Sequence, residues 1–151
     1  MPERKRVLFV CIHNSARSQM AEAFLQKVCR EQFEVQSAGL EPGTLNPLVV
    51  RVMKEVGIDI SGNETRSVGD ILNRGESFDH VITVCDEASA ERCPVLPGPG
   101  HRHHWGFPDP SALKGSEEDR LPETRRIRDQ ILSRIREWCQ ECCGAGDVRA
   151  S

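Results

Sequence analysis

The stretch Val7-Leu8-Phe9-Val10-Cys11-Ile12-His13-Asn14-Ser15-Ala16-Arg17-Ser18 decides how the chain is read. Val7 to Val10 is a continuous apolar run with charge before it. A run that does not alternate suits a strand buried on both faces, as in a parallel sheet. Cys11 to Ser18 is a polar loop. From Ser18 a helix is expected, because Met20, Ala21, Phe24, Leu25 and Val28 form one apolar stripe.

The same alternation continues outward. Glu34 to Ala38 reads as a second strand that stops at Gly39. Leu48, Val49, Val52, Met53 and Val56 form a helical stripe, and Gly57 ends it. Ser67 to Leu72 is a short helix, and Asp79 to Cys85 is a second buried strand rich in β-branched residues. Glu91 to Gly100 is a Pro/Gly-rich loop, and Arg102 to Trp105 is a short last strand. A long helix starts at Glu123, with Ile127, Ile131, Ile135, Trp138 and Cys142 on one face. These elements predict a single three-layer α/β domain over residues 1–143, with about four parallel strands between helices. Residues 144–151 are expected to be a frayed tail. In such sheets the ligand site lies beyond the carboxyl ends of the strands. Cys11 and Cys85 both fall at that rim.

Composition narrows the function. The chain has 151 residues, with 20 Lys plus Arg against 23 Asp plus Glu and a net charge of −3, which gives no sign of nucleic-acid binding. An apolar content of 38% is enough for a core. No apolar run approaches the roughly 20 residues of a membrane helix. Pro2-Glu3-Arg4-Lys5-Arg6 resembles the head of a signal peptide, but Val7 to Ile12 is too short for its apolar core and no cleavage site follows. The expectation is a cytoplasmic protein. Its seven cysteines then point to redox chemistry, metal or packing rather than to a secreted disulfide framework.

Between a strand and a helix, Cys11-x5-Arg17-Ser18 has the makings of an anion cradle. Backbone N–H groups of such a loop can converge on one centre, and the helix adds its free N–H groups and dipole. Arg17 can grip a tetrahedral oxyanion with two parallel hydrogen bonds. The positive field favours a Cys11 thiolate, and Ser18 can donate a proton to it. The plainer reading, a buried cysteine beside a surface arginine, accounts less well for this placement. No nucleotide-binding glycine pattern is present.

The run from Val10 to Glu22 resembles the active-site loop of the low-molecular-weight protein tyrosine phosphatase superfamily, and more specifically its arsenate reductase branch. The resemblance continues through Ser37-Ala38-Gly39, Leu45-Asn46-Pro47, Val56 to Ser61, Val84-Cys85-Asp86, Cys93-Pro94 and Trp105 to Pro110, and so covers Val7 to Trp138. It implies a low-molecular-weight phosphotyrosine phosphatase-like fold. It also implies an oxyanion loop of Cys11, Ile12, His13, Asn14, Ser15, Ala16, Arg17 and Ser18, and a catalytic set of Cys11, Cys85, Cys93, Arg17, Asp109 and Ser18.

In that scheme Cys11 attacks arsenate and Asp109 is the general acid. By itself, Asp109-Pro110 reads only as a turn start. Cys85 displaces arsenite from Cys11, Cys93 takes over the disulfide, and thioredoxin reduces it. Weak side phosphatase activity is implied too. In some relatives Asn14, Glu22 and Ser37 support a potassium ion together with a threonine, matched by Thr65, and an aspartate. Ser67 stands in the aspartate's place, which argues against potassium dependence. No other cofactor is expected, the partners are arsenate and thioredoxin, and the protein is expected to be a monomer.

Two other functions fit the loop. A phosphotyrosine phosphatase would share Cys11, Arg17 and Asp109, but it favours aromatics after the Asp-Pro pair, where Ser111 and Ala112 stand. A non-catalytic thiol sensor of oxyanions or arsenite would need no general acid. Glutaredoxin or mycothiol could replace thioredoxin as reductant. Cys29 reads as packing. Cys139-x-x-Cys142, with Cys143 beside it, reads as packing or incidental exposure, with an added redox or arsenite-binding role as the alternative. A metal site from His101, His103, His104 and Cys93 is disfavoured, because strand alternation sends His104 away from His103.

Overall fold

The computed structural model describes residues 5–11, 14, 16–29, 31–41, 43–84, 100–110 and 113–149, with side chains described as far as Glu141. In chain order the elements are β1 (Lys5–Cys11), α1 (Arg17–Cys29), β2 (Phe33–Gly39), α2 (Pro47–Glu55), α3 (Val68–Asn73), β3 (His80–Thr83), β4 (His101–His104) and α4 (Glu117–Arg149). The four strands form one sheet in the order β2-β1-β3-β4, and every pairing is parallel. The expected architecture of four parallel strands with flanking helices is the one observed.

The position of β1 explains its composition. It lies between β2 and β3, and Val7 to Val10 are fully buried. Val7, Phe9 and Cys11 join the core beneath α1, α2 and α4. Leu8 and Val10 face the other way, onto Val68 and Ile71 of α3 with Phe78 and Val81. A strand covered on both faces has no polar side, so its sequence does not alternate.

Caps set the helix limits. Asn46 accepts from the backbone N–H of Leu48 at 2.9 Å, and Pro47 opens α2. Ser67 caps α3 by accepting from the Asp70 N–H at 3.0 Å. Gly100 has φ +103, and a Cβ there would collide with the Phe78 and Asp79 carbonyls, so only glycine lets β4 start this close to β3.

Besides shifts of one or two residues at other element ends, three features differ from expectation. First, α4 starts at Glu117, six residues before Glu123. Its signal is a capping box: the Asp119 N–H donates to Ser116 Oγ at 3.1 Å, and the Ser116 N–H donates to Asp119 Oδ2 at 3.2 Å. Pro122 lies inside the helix and gives the sequence the look of a later start. Second, α4 continues to Arg149, through the segment expected to be a tail. Third, Val28 is 40% exposed, and the buried stripe of α1 ends instead on Cys29, one turn after Leu25. Cys29 is not merely packed. It forms a disulfide with Cys139 and ties α1 to α4.

At the open sheet edge, His101 and His103 lie on the face of β4 that carries the His80 and Trp138 rings. His80 Nδ1 lies 3.0 Å from His103 Nε2. Burial holds both imidazoles below the usual histidine range, assisted by mutual and neighbouring positive charge. His104 points to the opposite face and meets Thr83 Oγ1 at 2.7 Å, as alternation requires.

Arg128 joins α4 to α2. Its guanidinium donates to the Val52 carbonyl at 2.9 Å and to Glu55 at 3.0 Å. Arg125 donates to the same carboxylate at 2.7 Å. The Arg125 hydrogen bond, reinforced by Arg128, holds the Glu55 carboxyl down at about 2. The folded protein therefore keeps Glu55 ionised at a pH where the unfolded chain has protonated it. This stabilisation is complete above the ordinary carboxylate range and is lost as pH falls toward 2. Glu55→Gln is expected to cost about 0.5–1 kcal/mol at pH 7 in thermal unfolding. The difference should shrink steadily below pH 4.5. A cost independent of pH would show that the pair does not carry it.

Candidate active site

The site forms where β1 ends. Cys11 is the last residue of that strand and is buried, and its thiol faces the start of α1. Sγ lies 2.9 Å from Ser18 Oγ and accepts the Asn14 N–H at 3.1 Å. Ser18 Oγ itself accepts from Asn14 Nδ2 at 2.8 Å. That occupies one lone pair of the hydroxyl and leaves its proton free to face the sulfur. The Asn14 N–H and the Ser18 hydroxyl thus both lie within hydrogen-bond distance of Cys11 Sγ.

Asn14 organises this turn. It has φ +55, a left-handed conformation that asparagine tolerates better than most residues. Its side chain is fully buried and every hydrogen-bonding position is filled. Nδ2 donates to Ser18 and, at 2.9 Å, to Ser37 Oγ on β2. Oδ1 accepts from Gln19 Nε2 at 3.1 Å and from the Arg66 N–H at 2.8 Å. Gln19 in turn donates to the Glu64 carbonyl at 3.1 Å and accepts from Asn63 at 3.0 Å. Sequence reasoning missed Gln19 and Arg66. Gln19 adjoins the apolar stripe of α1, where only a buried amide at a helix start could have flagged it.

Arg17 opens α1 and is 4% exposed. One terminal nitrogen donates to the Phe107 carbonyl at 3.1 Å, and the other lies 3.7 Å from Asp109 Oδ2. Its Nε is the one buried side-chain polar atom without a hydrogen-bond partner among the described residues. An orphaned guanidinium N–H is costly unless an acceptor fills the space before it. Among the described residues the helical hydrogen bonds here start with Met20 N–H to the Ala16 carbonyl, and a helix start directs its first N–H groups outward. Together these donors suit an oxyanion.

Cys11, Ser18, Arg17 and Asp109 are therefore brought together by β1, α1 and the segment after β4. Ile12, His13 and Ser15 of the expected loop, and both Cys85 and Cys93, lie outside the described residues.

The expected potassium set does not assemble into an oxygen cage. Ser37 Oγ donates to Glu22, while Asn14 presents an N–H rather than an oxygen to Ser37. Thr65 Oγ1 donates to the Gly43 carbonyl at 2.7 Å, and Ser67 caps α3. The positive charge near Glu22 is Arg66, at 3.9 Å. These residues do not fit a bound cation.

Burial raises the pKa of Glu22 above the usual carboxylate range, against the Ser37 hydrogen bond and Arg66. A raised folded pKa favours the protonated fold, so stability falls as pH rises from the ordinary value through the folded one. Glu22→Gln is expected to remove that decline. Thermal midpoints between pH 4 and pH 7 would then lie flatter for the variant than for the parent, and parallel curves would contradict the assignment.

Comparisons with known proteins show the chain's relatives. Residues 6–145 match the family described as low molecular weight phosphotyrosine protein phosphatase. The arsenate reductase of Bacillus subtilis (strain 168) is 44% identical over 140 residues, which cover 91% of this chain and 97% of that protein. Among solved structures, an arsenate reductase from Archaeoglobus fulgidus superposes with a TM-score of 0.69 at 31% identity, covering 87% of this chain and 97% of that one. A thioredoxin-dependent arsenate reductase from Corynebacterium glutamicum superposes with a TM-score of 0.66 at 33% identity, covering 91% of this chain and 61% of that one.

Proposed function

The chain belongs to the low molecular weight phosphotyrosine protein phosphatase family, on its arsenate reductase branch, and we propose that it reduces arsenate to arsenite with electrons from thioredoxin. The observation that carries this reading is the buried Cys11 thiol, facing Ser18 and the Asn14 N–H, next to an Arg17 whose Nε has no partner among the described residues. Arsenate has the shape and charge that such a donor set accepts.

The chemistry follows from that placement. Arg17 and the N–H groups at the start of α1 hold the oxyanion over Cys11. The thiolate attacks arsenic, and an oxygen leaves as water with a proton from Asp109, which Arg17 positions. Cys85 then attacks the Cys11 sulfur. The arsenic–sulfur electron pair stays on arsenic, so arsenite departs and a Cys11–Cys85 disulfide remains. Cys93 attacks Cys85, the disulfide moves to Cys85–Cys93, and Cys11 is restored as a thiolate. Thioredoxin supplies two electrons and reopens that disulfide. Phosphate follows only the first part of this path, because thiols do not reduce phosphorus. A phosphoenzyme is hydrolysed instead, which gives weak phosphatase activity. The relay belongs in a reducing cytoplasm, and no described helix is long and apolar enough to cross a membrane.

A coupled assay tests the reading. With arsenate, thioredoxin, thioredoxin reductase and NADPH, the protein is expected to consume NADPH in an arsenate-dependent manner. Cys11→Ser, Cys85→Ser and Cys93→Ser should each lower that turnover by roughly 10³-fold or more, as loss of a covalent participant does. Cleavage of an aryl phosphate should be lost only in Cys11→Ser. Full arsenate turnover in Cys85→Ser or Cys93→Ser would overturn the relay. Phosphate-ester cleavage without arsenate-dependent turnover would instead make the protein a phosphatase.

A further inference from the structure

The disulfide between Cys29 and Cys139 joins residues 110 apart in sequence and lies away from the oxyanion loop. Cys29 ends α1, whereas Arg17 starts it. Twelve residues of helix put roughly 18 Å between those ends. The pair therefore neither touches the bound oxyanion nor takes part in attack on Cys11. Its position is set by helix packing. Phe24 and Leu25 of α1 share one core with Ile131, Ile135 and Trp138 of α4. Two helices locked in this way hold their Cα atoms 6.6 Å apart, within the range that a disulfide spans. Preformed helix packing gives the two thiols a high effective concentration and favours closing over mixed disulfides with small thiols.

The bond also lies just below the surface. Cys29 is 7% exposed and Cys139 is 5% exposed. Their chain neighbours Val28 and Gln140 face solvent. Opening the last turn of α1 would uncover the Cys29 sulfur without disturbing β1 or the start of α1.

We propose that Cys29 and Cys139 form a second thiol–disulfide couple, separate from the oxyanion site, which clamps α1 onto α4 when closed. Closing consumes one small-molecule disulfide of the glutathione type. Two cysteine thiols lose two electrons and two protons, one sulfur–sulfur bond forms within the chain, and two small thiols are released. Opening is the reverse, with a dithiol protein of the thioredoxin class as reductant. Closure restricts most of the unfolded chain, because the loop it completes joins residues 110 apart in a chain of 151. The closed form is therefore the more heat-stable one, while the chemistry at Cys11 continues in both. The proposal holds whether or not arsenate is the substrate.

The experiment uses the full-length protein in glutathione buffers of defined redox poise, followed by rapid alkylation and peptide mapping. A linked Cys29–Cys139 peptide is expected under oxidising poise, and two separately alkylated cysteines under reducing poise. Thioredoxin with its reductase and NADPH should convert the first into the second. Reduction should lower the thermal midpoint by about 10 °C, as expected for a large closed loop in a chain of this size. Cys29→Ser and Cys139→Ser should melt at the lower value with or without reductant while keeping their turnover. The proposal is overturned if both cysteines stay alkylatable under oxidising poise, or if Cys29 pairs elsewhere. A link that survives the thioredoxin system overturns it as well. The wild-type peptide map distinguishes these outcomes even if a variant fails to fold.

Discussion

The side chain of Asn14 is the constraint on which the site depends. One buried amide joins the start of α1, the middle of β2 and the segment before α3, through Ser18, Gln19, Ser37 and Arg66. It holds a left-handed turn that brings its own N–H onto the Cys11 sulfur. Every hydrogen-bonding position of the amide is filled, so there is little freedom to rotate it. The Ser18 hydroxyl accepts from Asn14 and lies within hydrogen-bond distance of the thiol, so its proton is free to face the sulfur. The arrangement around the Cys11 thiol is thus set by the fold itself, and such preorganisation lets donors act without first being reoriented.

Charge is distributed to match. Arg17 is buried, held at its tip by the Phe107 carbonyl and Asp109, and its Nε faces no acceptor among the described residues. Glu22 lies behind the loop, where burial works against its ionisation and Arg66 and Ser37 work for it. The negative charge that would oppose an incoming oxyanion is thereby muted on the inner side. At the rim, Asp109 is close enough to Arg17 to be aimed and open enough to exchange protons with water.

Much of this was legible in the sequence, for identifiable reasons. Val7 to Val10 announces a central parallel strand because burial on both faces removes every polar alternative. Cys11-x5-Arg17-Ser18 between a strand and a helix announces that a thiol, a guanidinium and a hydroxyl gather at the start of α1, because the spacing covers only the turn out of β1. Other features were hidden. Pro122 masked the true start of α4, although the capping box at Ser116 and Asp119 was present. The exposed Val28 and the buried Cys29 show how the covered face of a helix can turn at its last residues, where one packing partner decides. Gln19 and Arg66 had no periodic signal, since they serve a loop and not a core. The pairing of Cys29 with Cys139 depends on two helices meeting, which no local pattern records.

The central claim is that Cys11 is a nucleophile facing an oxyanion cradle gripped by Arg17. Alkylation of Cys11 by iodoacetate, followed by mass spectrometry with and without inorganic phosphate, tests it most directly. The account predicts that Cys11 is modified and that phosphate slows the modification in a saturable way. It also predicts that Arg17→Ala loses this protection while its Cys11 remains modifiable. Phosphate that leaves the rate unchanged in the parent protein, or protects Arg17→Ala equally well, would contradict the account.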